Sequence, residues 1–159
     1  MSDAACLPRD VLDVDDHILD VDDHLCFAIY SAGHAFNRIY KPLLVALDLT
    51  YPQYLVMVAL WAGDDQTVGS LGEKLFLESS TLTPLLKRLE GIGYLSRSRD
   101  PADERQVRVR LTKAGAALRE KARDIPRCIL ETSGLSIDAV RRLQAEISGL
   151  RDNLLEASG

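Results

Sequence analysis

The chain has 159 residues and a formal net charge of −5, a length suited to one domain with a sizeable core. It contains no apolar run of about 18 residues and no basic N-terminal stretch followed by an apolar one, so neither a membrane span nor a signal peptide is expected. Its three cysteines show no CxxC spacing and are too few for a disulfide scaffold, which makes the cytoplasm the simplest compartment.

The acidity is local. Residues 1–25 hold eight Asp against one Arg, which leaves residues 26–159 at +2. Between Thr83 and Lys113, eight Lys or Arg stand against four Asp or Glu. An acidic arm thus precedes a basic centre.

Residues 1–21 read as a mobile arm, polar and acidic, with Pro8 near its start. LDVDDHI (12–18) is followed at once by the near-duplicate LDVDDHL (19–25), too short for a repeat architecture. A helix is expected from Asp22 or Asp23 to about Leu47, with Leu25, Ile29, Phe36, Ile39, Leu43, Leu44 and Leu47 as apolar positions and Pro42 bending or interrupting it. Thr50-Tyr51-Pro52 opens the next helix, QYLVMVALWA, apolar nearly all round and therefore a core element. Gly63-Asp64-Asp65-Gln66 is a turn.

The stretch from Leu71 to Gly115 organises the rest. LGEKLFL is a short helical pattern, Glu78-Ser79-Ser80 a turn, and TLTPLLKRLEGIG a second helix. On that helix Leu82, Leu85, Leu86 and Leu89 share one side, and Thr81, Pro84, Lys87 and Arg88 the other. Ser79 and Ser80 are N-cap candidates, and Gly91 and Gly93 end the helix. Two extended runs, YLSRSR and QVRVRLT, then form a hairpin in which Val107, Val109 and Leu111 alternate with Arg108 and Arg110. Arg97 and Arg99 add charge on the first run, and at the tip Asp103 stands where its carboxylate could hold the Arg105 guanidinium. Helix, turn, helix and hairpin is the order of a winged helix-turn-helix, whose second helix can enter a major groove. Short hydroxyl residues (Ser79, Ser80, Thr81, Thr83) ahead of Lys87 and Arg88 suit base edges and phosphates, whereas an ordinary solvated helix face is the reading if the helix is taken alone.

Beyond the wing, Thr112 caps a long helix with Pro126 as a kink and Ser133-Gly134 as its stop. Ser136 caps a last helix, in which Val140, Leu143, Ile147, Leu150 and Leu154 form an a/d seam suited to a dimer interface. The fold class expected is mainly α with a small β-hairpin wing. Residues 22–159 form one domain, with the winged helix-turn-helix at about 67–112 and dimerisation helices at about 22–47 and 112–157.

DERQVRVRLTKAG resembles the wing signature of the MarR family of bacterial regulators, and TVGSLGEKLFLESSTLTPLLKRLEGIGYL is similar to its helix-turn-helix. The resemblance implies a homodimer on double-stranded DNA carrying a pseudo-palindromic operator, with Arg105 in the minor groove and the helix from about Ser80 to Glu90 in the major groove.

Cys26 is the residue with the most informative chemistry. Unpaired N–H groups near a helix start favour a thiolate, while Asp22 and Asp23 oppose it. Tyr30 lies one helical turn on. On chemistry alone, most lone cysteines on apolar helices are inert core residues. The segment LCFAIYSAGHAFNRIYKPLLVALDLTYPQYLVMVALW, however, is similar to the OhrR branch of the MarR family, the organic-hydroperoxide sensors. That resemblance implies oxidation of Cys26, hydrogen bonds to its sulfur from Tyr40 and Tyr51, a supporting place for Tyr30, and Cys128 as the resolving cysteine, with a disulfide between subunits expected. Cys6 reads as a spectator. No standard metal spacing links His17, His24 and His34 to Cys26, and no cofactor is expected.

The function expected is a cytoplasmic repressor released from its operator by an organic hydroperoxide. The alternative is a MarR-type repressor gated by a small aromatic ligand. A thiol peroxidase finds no catalytic constellation in the sequence, and a helical interaction module leaves the Arg-rich wing unexplained.

Overall fold

The computed structural model describes residues 20–158. The arm expected over 1–21 lies outside them apart from its last two residues, as do Cys6, His17 and the first copy of the duplicated heptapeptide. Contacts divide the chain between Ile39 and Tyr40 into two units.

Among the described residues of the first unit, the first element is a short 3-10 turn, Val21–Asp23, capped by Asp20, whose carboxylate accepts the Asp22 N–H at 3.2 Å. Helix α1, Leu25–Val45, follows and crosses the division. Within the first unit its large apolar side chains Leu25, Ile29, Phe36 and Ile39 are exposed, along with Tyr30.

In the second unit the expected interruption at Pro42 does not occur. Helix α1 runs through Pro42 and stops at Val45, short of Leu47. Proline there forfeits one backbone bond, to the Arg38 carbonyl, and the helix ends within a further turn. Helix α2, Tyr51–Ala62, starts where Gln53 folds back to accept the Thr50 N–H at 2.9 Å. It is the central core helix, burying Tyr54, Val56, Met57, Ala59 and Leu60.

Strand β1, Gln66–Thr67, leads into α3, Val68–Leu75, with Thr67 accepting the Ser70 N–H at 3.1 Å. Helix α4 spans Ser79–Ile92 and ends at Gly93, whose φ of 90° is the left-handed conformation glycine adopts readily. Strands β2, Leu95–Arg99, and β3, Val107–Leu111, pair antiparallel, with Arg97 opposite Val109. The expected hairpin is thereby enlarged. Strand β1 pairs with the free edge of β3, giving a three-stranded sheet of order β1-β3-β2. Two residues carry no periodicity of their own, so only the partner strand reveals β1.

Helix α5, Lys113–Ala122, is capped by Thr112, which accepts the Gly115 N–H at 3.0 Å. The long helix expected here breaks at Arg123-Asp124, and α6, Ile125–Ser133, begins with Pro126 in its first turn. A proline ring would clash with the Ala122 carbonyl in a continuous helix, whereas the first turn of a new helix accepts it. Gly134, with φ 69°, ends α6. Helix α7, Ile137–Ser158, starts where Ser136 accepts the Ala139 N–H at 3.2 Å. No described helix is long and apolar enough to cross a membrane.

Leu44, Leu60, Leu71, Leu82, Leu86, Leu89, Leu95 and Val109 are each 2% exposed or less and join α1, α2, α3, α4 and the wing into one core. Burying each such side chain contributes roughly 1.5–3 kcal/mol. Leu82, Leu86 and Leu89 are the inward stripe expected of α4. The opposite face of α4 is thus held at a fixed angle to the wing.

Candidate nucleic-acid interface and cysteine site

Ser79, Ser80, Thr81, Lys87 and Arg88 are exposed on α4, and Thr83 is half-buried. Glu78, and neither serine, occupies the N-cap position, and it makes no side-chain cap bond. Ser79 and Ser80 are the first two helical residues. Both are exposed at the helix start, where the first backbone N–H groups lack partners within the helix. Neither Lys87 nor Arg88 has an acidic partner among the described residues.

The wing is less basic than its sequence. Arg108 donates to Asp65 at 2.6 Å and to Asp100 at 2.9 Å, and Arg110 pairs with Asp65 at 2.9 Å. Asp64 accepts the Leu111 N–H at 2.9 Å. The α2–β1 turn, with Asp65 at φ 57°, therefore clasps the outer face of β3. Arg97, expected to add charge toward DNA, lies along Glu90 instead, with Nε at 2.9 Å, Nη2 at 2.6 Å and its backbone N–H at 3.0 Å from the carboxylate. This ties β2 to α4. Three of the eight basic residues are thus committed internally, leaving Lys87, Arg88, Arg99, Arg105 and Lys113 for a ligand.

The wing tip also differs from expectation. The Asp103 carboxylate accepts the backbone N–H of Arg105 at 3.1 Å and the Gln106 amide at 3.1 Å, shaping the turn rather than gripping the guanidinium. The exposed Arg105 side chain is free among the described residues. Between the wing and α4 lies a cleft of about 410 Å³, lined by Thr67, Ser79, Thr83, Arg97 and Arg105 among others.

The neighbouring arginines hold the Asp65, Glu90 and Asp100 carboxyls below their ordinary values; at Asp65 and Glu90 the leading cause is the guanidinium hydrogen bond, and at Asp100 the Ala102 backbone N–H precedes the Arg108 bond. Groups with depressed folded-state values contribute stability that is present above the ordinary carboxylate range and lost as pH falls through it. The unfolding midpoint is therefore expected to fall below about pH 4.5. Asp65→Asn should flatten that acid dependence, as followed by circular dichroism between pH 7 and pH 3. Identical acid slopes in the two proteins would contradict the clasp.

The cysteine chemistry is divided between the two units. In the first, Cys26 is the second residue of α1 and exposed, and Tyr30 meets His34 edge-on with ring centroids 4.4 Å apart. In the second, Tyr40 stacks on Tyr51 at 4.5 Å and on Tyr54 at 5.9 Å, and Tyr54 meets Trp61 at 6.2 Å. Burial, then the nearness of Tyr51 and Tyr54, pushes the Tyr40 phenol up to about 12, and burial raises Tyr51 also. Both phenols stay protonated at neutral pH and can donate. Tyr54, which shares the TYPQY segment with Tyr51, joins the two tyrosines expected at this site, and only packing reveals it. Cys128 is half-buried on α6.

Residues 38–122, more than half of the chain, match the family described as "Transcriptional regulator SarA/Rot". The chain is 46% identical over 135 residues to the HTH-type transcriptional regulator TtmR of Methylorubrum extorquens, covering 85% of this chain and 69% of that protein. It is 45% identical over 130 residues to the organic hydroperoxide resistance transcriptional regulator of Bacillus subtilis, covering 82% and 88%. Among solved structures it is similar to AbfR of Staphylococcus epidermidis, with TM-score 0.72, 36% identity, and 83% and 91% coverage. AbfR has been solved reduced and bound to DNA (TM-score 0.71) and with a disulfide formed (TM-score 0.61). With its α3–α4 pair, its three-stranded wing and these relatives, the chain belongs to the winged-helix transcriptional regulators of the SarA/Rot and MarR type, on the OhrR-like branch.

Proposed function

We propose that this protein is a cytoplasmic, dimeric repressor that binds a pseudo-palindromic operator and releases it when an organic hydroperoxide oxidises Cys26. The observation that carries this reading is the exposure of Cys26 at the start of α1, in a chain 45% identical to a hydroperoxide resistance regulator. The Cys26 thiolate attacks the outer peroxide oxygen, the O–O bond breaks, and the alkoxide leaves and takes a proton from solvent to become the alcohol, giving a sulfenic acid. A second thiol, that of Cys128, displaces water and forms a disulfide. Because Cα separations in a disulfide are confined to about 4.4–6.8 Å, closing the bond constrains the helices that carry the two sulfurs. Tyr40 and Tyr51, both protonated at neutral pH, have the chemistry of donors to a thiolate.

Dimerisation uses α1 and α7. Leu143, Ile147 and Leu154 of the expected seam are exposed in the single chain, as are Leu25, Ile29, Phe36 and Ile39 of α1. A second copy covers such rows. On DNA, α4 enters the major groove with Ser79, Ser80, Thr81 and Thr83 toward the bases and Lys87 and Arg88 toward phosphates, and Arg105 reaches the minor groove.

A non-reducing gel after one equivalent of an organic hydroperoxide tests the disulfide. Wild type should run as a covalent dimer, and Cys128→Ser and Cys26→Ser as monomers. A covalent dimer that persists in Cys128→Ser removes that cysteine from the mechanism. The second reading, a small aromatic ligand as the signal, has a groove of about 250 Å³ in its favour, lined by Tyr54, Trp61, Arg119 and Arg123.

A further inference from the structure

Phe76 closes α3 in the left-handed conformation, with φ 54° and ψ 42°. A phenylalanine held there is strained, and the residue is 56% exposed. The turn is tight. Leu77 donates to the Gly72 carbonyl at 2.9 Å, and a Cβ on Gly72 would stand 2.9 Å from the Leu77 carbonyl oxygen. This geometry fixes the Phe76 ring just ahead of α4. The guanidinium of Arg151 lies over that ring, 4.2 Å from its centroid. Asp152 holds the same guanidinium at 2.7 Å and so steadies it. Leu155, one turn further along α7, faces Phe76, Leu77 and Ser79 across a cavity of about 400 Å³. Arg151 and Leu155 share one helical face, rotated by about 100° from the Leu150 and Leu154 line of the seam.

We infer that the Phe76–Arg151 contact is the joint that sets the position of the reading helix relative to α7, and through α7 the spacing of the two half-sites a dimer accepts. The inference rests on the operator-binding part of the proposed function and is independent of the peroxide response. Phe76 and Arg151 are positioning residues. The ring leaves α4 through the turn, and the guanidinium leaves the seam helix on a face the seam does not use. A cation over an aromatic face attracts it without demanding a single rotamer.

The test uses the full-length reduced protein and a duplex selected by wild type from a random pool, with variants of that duplex one base pair longer or shorter between half-sites. Arg151→Ala should lose about two- to fivefold in affinity for the selected duplex, the range of an exposed cation–π contact. It should lose little for the altered spacings, so that discrimination between spacings narrows. Phe76→Gly keeps a residue suited to positive φ and removes only the ring, and it should show the same narrowing. Arg151→Lys, which retains a cation, should keep most of the discrimination. Unchanged discrimination in Arg151→Ala and Phe76→Gly overturns the inference, as does an equal loss on every duplex, which marks a merely structural contact. If wild type selects no duplex, operator binding itself fails and the inference falls with it.

Discussion

Gly115→Ala is expected to be the most damaging single methyl group in the molecule, costing about 3 kcal/mol. A Cβ at Gly115 would sit 1.8 Å from the Tyr94 carbonyl oxygen and 2.8 Å from its carbonyl carbon, both backbone atoms. Neither side can yield. The Gly115 carbonyl accepts the Trp61 indole N–H at 2.9 Å, and the Tyr94 carbonyl accepts the Thr112 N–H at 3.1 Å. Tyr94 is held in turn by its hydroxyl, which donates to the Leu47 carbonyl at 3.1 Å. Moving α5 outward would break the bonds that join α2, the wing and α5. At this chain length the midpoint of thermal unfolding should fall by about 6–12 °C. Gly91→Ala is the control, because nothing lies within 4 Å of its Cβ. Helix propensity makes that change neutral or stabilising by up to about 1 kcal/mol. Equal midpoints for the two variants would mean that α5 does not pack on Tyr94 as closely as described.

Arg105→Ala should have the largest effect on DNA affinity. The guanidinium is exposed at the wing tip with no carboxylate engaged, because Asp103 is spent on the Arg105 backbone N–H and on Gln106. A free cation on a short turn can enter a narrow, electronegative minor groove without first breaking an ion pair. Its loss should cost about 1–3 kcal/mol for each wing, so a dimer loses at least about thirtyfold in Kd. The unfolding midpoint should stay where it is, since the side chain is exposed and has no ion pair among the described residues. Arg97→Ala should behave in the opposite manner, lowering the midpoint through its lost bonds to Glu90. Fluorescence anisotropy on a selected duplex, beside a thermal melt, separates the two. Wild-type affinity in Arg105→Ala would remove the wing tip from the interface.

Local pattern explains what the sequence discloses. Leu82, Leu86 and Leu89 recur with helical spacing, and Val109 sits between two arginines, so α4 and the wing can be read without knowing their neighbours. Thr112 and Ser136 cap their helices as their positions imply. What stays hidden is whatever depends on long-range partners. Asp65 and Arg108 are 43 residues apart, and no periodicity announces that a turn before α3 will neutralise a strand after α4. The same holds for the embrace of Arg97 by Glu90, which changed a residue read as facing DNA into one that fastens β2 to α4. Strand β1 has two residues and exists only because β3 offers an edge. Cys26, Tyr40 and Tyr51 stand out as residue types, but exposure and stacking come from packing. The sequence alone does not show that Tyr54 completes the phenol cluster.

The role of Cys26 is tested most directly by operator affinity in a mobility shift before and after one equivalent of an organic hydroperoxide, for wild type and Cys26→Ser side by side. Both reduced proteins should bind alike, wild type should lose at least tenfold on oxidation, and Cys26→Ser should lose nothing. Retention of affinity by oxidised wild type, or equal release of both proteins, would contradict Cys26 as the sensor. In the first case the groove lined by Tyr54 and Trp61 becomes the place to look for the signal.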